Sequence, residues 1–162
     1  MDKVKLNIKK DSLYINGSNS VIGTIYFDLD GYIFPSDDWY DFVVALLGWL
    51  AKITANLTKS EAKTVEMSFM EGPFKIALTV KEDYQCKIDC IEGEELAGDE
   101  EIIHKTITVP LDEVINEILK GCELIIQMKE SKELEFDKDF EYLKESYNLL
   151  RDGKEWWGWL CS

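Results

Sequence analysis

The chain contains no apolar run that approaches the ~18–20 residues a helix needs to cross a bilayer, and its start, MDKVKLNIKK, lacks the apolar middle of a secretory signal. A cytoplasmic protein away from membranes is expected. Histidine is nearly missing: His104 is the sole example. The four cysteines do not form the close pairs that zinc sites place on turns, because Cys86 and Cys90 share one strand-like run while Cys122 and Cys161 stand alone. No metal centre and no cofactor is expected, and the thiols read as free and buried. A basic excess is also lacking. Thirty-two acids against eighteen bases leave a net charge of −14, which repels nucleic acid and anionic lipid and favours a basic partner.

What is present suits one packed domain. A chain of 162 residues can bury roughly 70% of its unfolded surface, and a hydrophobic fraction of 46% is far above that of disordered chains. Val4, Leu6 and Ile8 alternate with polar residues as a half-buried strand does, and Leu13 with Ile15 repeats the pattern. Val21, Gly23, Ile25 and Phe27 line one face of a third strand. Ser36, Asp37 and Asp38 then read as a helix start, a capping hydroxyl followed by acids at the positive end of the dipole. The expected helix runs from Asp37 to Asn56, with Trp39, Phe42, Val43, Leu46, Leu50 and Ile53 on a wide apolar stripe.

Strands follow without intervening helices: Val65 to Phe69, Phe74 to Val80, Tyr84 to Cys90, and a run marked by Ile103, Ile107 and Val109. Such short connections require antiparallel neighbours. Pro110 opens a helix carrying Val114, Ile118, Cys122 and Ile125, and Asp137 is placed to cap a last one, which Gly153 should end. The expected fold is α+β, a single domain over residues 1–162. Its largely antiparallel sheet of about six or seven strands packs against a central helix and two C-terminal helices.

The stretch GTIYFDLDGYIF ends in Asp28-Leu-Asp30-Gly31, which resembles the first motif of haloacid-dehalogenase-like phosphatases, where the leading Asp attacks phosphate. The chemistry requires a second acid, a hydroxyl, a lysine and magnesium carboxylates, gathered at the ends of parallel strands. Asp30 supplies the second acid and Thr79 with Lys81 are the candidate hydroxyl and lysine, yet Tyr32 replaces the usual Thr and the β-meander lacks the βα alternation. A strand end with an Asx-type turn and a glycine at positive φ accounts for the same residues. No catalytic residue is therefore assigned, with Asp28 and Asp30 as the alternative reading. A small-ligand-binding regulatory module, with its pocket between sheet and helices, is a further alternative.

A second resemblance covers about Gly23 to Val80. Phe34-Pro35, Trp39-x-Asp41-Phe42, Trp49 and the turn Gly72-Pro73 resemble the shared pattern of small acidic bacterial proteins of unknown activity, some of them immunity proteins that neutralise a toxin. These residues are mostly apolar and aromatic, so they specify packing. The resemblance implies a non-enzymatic protein that docks on a toxin, and an acidic surface would speed that encounter. Candidate contact residues are Glu92, Glu94, Glu95, Asp99, Glu100 and Glu101 in an expected exposed loop, and the acids between Asp137 and Glu145. Trp156, Trp157 and Trp159 are candidates in a C-terminal tail that otherwise reads as a last strand or docked segment. His104, alternating with Ile103, is expected to face away from the apolar row.

Overall fold

The computed structural model describes residues 3–59, 63–93, 100–134 and 137–161, with side chains described through Lys154. Among them, nine strands form two antiparallel sheets, with three α-helices packed against them. The α+β class holds, but the strands divide into two sheets, and several short segments raise their number above six or seven.

The first sheet is built on β3 (Val21–Leu29), flanked by two interrupted strands. On one side β1 (Val4–Ile8) pairs with Ile25 to Leu29 and β2 (Tyr14–Ile15) with Val21 and Ile22. Between them the chain bulges through a short 3-10 turn at Lys10–Ser12, and the Ser12 hydroxyl oxygen accepts the Thr24 N–H at 2.8 Å, taking the place of a ladder bond. Opposite them lie β4 (Tyr32–Phe34) and β5 (Tyr40–Phe42), interrupted by residues 35–39 with a cis Phe34–Pro35 bond. The expected core face of β3 is buried at Val21, Gly23, Ile25 and Phe27.

The second sheet runs β6 (Thr64–Ser68), β7 (Phe74–Lys81), β8 (Gln85–Glu92), β9 (Ile102–Pro110) in spatial order. This is the meander that the short turns require. One face carries Met67, Ile76, Leu78, Cys86, Ile88, Cys90, Ile107 and Val109 into the core. The other presents Thr64, Glu66, Thr79, Lys87 and Thr108 outward, the alternation of a half-solvated antiparallel sheet.

Helix α1 (Val43–Thr58) is the centre of the molecule. It contacts β3 and β5 of the first sheet, β6 of the second, and both other helices, so it is buried on most sides from Val43 to Thr58. Helix α2 (Leu111–Glu130) packs on β1, β8, β9 and α1. Helix α3 (Phe140–Cys161) lies against α1 and α2. Among the described residues no helix is long and apolar enough to cross a membrane.

Four expectations require correction. The central helix begins at Val43, not Asp37; Ser36 donates to Asp38 in a turn at 2.8 Å, while Tyr40, Asp41 and Phe42 form a strand. The dipole argument was outweighed by the pairing that β3 offers this segment. Gly153 does not end α3, whose backbone stays helical to Cys161. A β-carbon on Gly153 would stand 2.5 Å from the Thr58 hydroxyl oxygen, so the glycine permits a close helix crossing. The expected last strand at the C-terminus is accordingly helix in its backbone. Finally, a register shift opposite Cys90 and Ile91 turns Ile103 out of the buried row, leaving it 59% exposed.

Candidate functional site

The Asp28 corner is a tight hairpin. Leu29 pairs with Tyr32, and the two loop residues Asp30 and Gly31 have φ of 54° and 94°, the left-handed pair of a two-residue hairpin turn. The Asp28 carboxylate accepts the Gly31 N–H at 2.8 Å, and the Lys3 carbonyl accepts the Asp30 N–H at 2.8 Å. Lys3 and Lys5 of the neighbouring strand join Asp28, Asp30 and Gly31 around a shallow surface depression of 160 Å³. Thr79 and Lys81 lie in the other sheet, where the Thr79 hydroxyl shares a hydrogen bond with Thr64 at 3.1 Å. Each described strand pairing is antiparallel. The structure thus does not bring the acids, hydroxyl and lysine together.

The Phe-Pro and Trp-x-Asp-Phe residues are brought together with the Gly-Pro turn, at the seam between the sheets. Phe34 and Trp39 from the first sheet interlock edge-to-face with Phe69 and Phe74 from the second. Ring centroids are 5.3 Å apart for Trp39–Phe74, 5.6 Å for Phe34–Phe74, 6.0 Å for Trp39–Phe69 and 6.1 Å for Phe34–Phe69. Such pairs contribute about 0.5–1.5 kcal/mol each beyond their burial. Gly72 leaves room for the indole, since a β-carbon there would lie 2.6 Å from Trp39 Cη2. Phe42 and Trp49 sit half-buried on either side of the α1 start, and Pro73 is exposed in the turn.

Asp41 holds this seam shut. Its side chain has no solvent exposure, yet it accepts four N–H groups. Trp39 Nε1 donates to Oδ2 at 3.0 Å and the Phe42 amide to Oδ1 at 2.7 Å. The Met70 and Glu71 amides, in the turn between β6 and β7, donate to Oδ2 at 3.0 and 3.3 Å. A carboxylate of the first sheet therefore supplies the acceptors that a turn of the second would otherwise lack. Sequence reasoning placed Asp41 in the first turn of a helix and missed this role; the i, i+2 spacing of Trp39 and Asp41 was its one local signal.

Two further carboxylates act across the fold: Asp137 was expected only to cap the last helix, and Glu117 was not singled out. Asp137 is 3% exposed, and its oxygens accept the Val21 amide at 2.5 Å and the Asp139 amide at 2.6 Å. It pins the entry to α3 onto the start of β3. Burial pushes its pKa up, against the opposing pull of those two amides. Glu117 of α2 accepts the outward Leu6 N–H at 3.1 Å and so covers part of the outer edge of β1.

Of the candidate acidic loop, Glu94, Glu95 and Asp99 lie outside the described residues. Glu92 belongs to β8 and lies 2.7 Å from His104 Nε2. Glu101 and Glu66 flank Lys75 at 2.5 and 2.7 Å. Burial alone would lower the Lys75 pKa, but the hydrogen bonds with Glu101 and Glu66 outweigh it and hold the ammonium above its ordinary 10.5. Glu100 is exposed. On α3, Glu141 and Glu145 point to solvent alongside Lys144. The side chains of Trp156, Trp157 and Trp159 lie outside the described residues. Cys86, Cys90 and Cys122 are free, buried thiols.

No family model, curated protein or solved structure matches this chain.

Proposed function

We propose that this chain is a binding protein that acts without catalysis by docking on a basic protein partner, in the manner of an immunity protein that neutralises a bacterial toxin. The carrying observation is where the acid stands. Of the described Asp and Glu residues only Asp41, Asp89 and Asp137 are buried. The other described acids therefore stand at the surface of a chain whose net charge is −14, where they steer a cationic partner and raise its association rate. The resemblance of the Phe-Pro, Trp-x-Asp-Phe and Gly-Pro positions to small acidic bacterial proteins supports the same reading. Phe34, Trp39 and Asp41 among them hold the seam, which leaves contact with the partner to the surface acids.

Co-purification with the product of the adjacent gene tests this. A stable one-to-one complex whose association rate falls as salt rises is the expected result. A housekeeping neighbourhood with no toxin-like gene, or capture that ignores ionic strength, argues against it.

A further inference from the structure

We draw no further inference here: the strongest candidate, the exposed run of residues 102–106 along the outer edge of β9, pairs with no strand among the described residues, and nothing in the structure shows what covers it.

Discussion

A carboxylate removed wholly from water is tolerated only where hydrogen bonds replace its hydration, and the four N–H groups around Asp41 do so. Asp41→Ala leaves Met70, Glu71 and Trp39 donors facing a void at the seam, and should lower stability by about 3 kcal/mol or more. Urea unfolding measures it, and a loss below about 1 kcal/mol would show that the turn holds without its acceptor. Asp137 adds a pH signature. Its carboxyl is raised from 3.8 by burial, so the folded state binds that proton more tightly than the unfolded state. The stability it contributes is complete below 3.8 and is lost as pH rises through the folded value. The urea midpoint of the wild type should therefore decline relative to Asp137→Asn on going from pH 3.8 upward, then run parallel to it; a wild-type midpoint that rises relative to Asp137→Asn over that range refutes the direction. The thiols of Cys86, Cys90 and Cys122 are pushed by burial up to about 12. Thiol reagents should leave them unmodified in buffer and label them in urea.

Between residues and the whole lie the helices and strands, where periodicity was informative and boundaries were not. The stripe Val43, Leu46, Leu50 identified α1 because burial on several sides demands such a run. Its start was misread because Ser36-Asp37-Asp38 carries a genuine capping signal, while the β3 edge that captures residues 40–42 is remote in sequence. Gly153 was misread for a similar reason: glycine near a helix end is ordinarily a stop, and nothing local reveals Thr58 across the crossing. Gly153→Ala should cost about 1–3 kcal/mol by overpacking against buried Thr58, despite a helix-propensity gain of about 1 kcal/mol. Gly48→Ala meets Tyr142 at 2.8 Å, but that ring is 42% exposed and can swing aside. The Leu143 Cα of α3, 3.3 Å from that position, cannot, so the loss should be smaller than at Gly153 but not zero, about 1 kcal/mol. Thermal melts of the two variants give the comparison, and equal losses would mean that the crossing does not set the cost.

For the whole molecule the questions are what it meets and whether it turns anything over. If Asp28 only accepts the Gly31 amide in its hairpin, magnesium-dependent phosphate release from a broad phosphoester panel should be absent. Asp28→Asn should then change the hairpin's stability and nothing else. Phosphate release abolished by that substitution would restore the phosphatase reading. Docking driven by surface acid makes an ionic prediction of its own: raising salt from 50 to 500 mM should slow association with a basic partner on the order of tenfold or more while leaving dissociation nearly unchanged.

The sequence alone determined the class of fold, the antiparallel direction of the meander, the existence of the helices and the acidic surface. Each rests on information within a few residues, namely alternation, helical spacing, turn length and charge count. The tertiary structure alone decided that the strands divide into two sheets and that Asp41 closes the seam between them. It also decided that Gly153 serves a helix crossing and that no described strand pairs with the outer edge of β9. Those outcomes depend on groups brought together from 29 or more positions apart, such as Asp41 with Met70 and Val21 with Asp137, and a linear pattern carries no trace of a partner it cannot see.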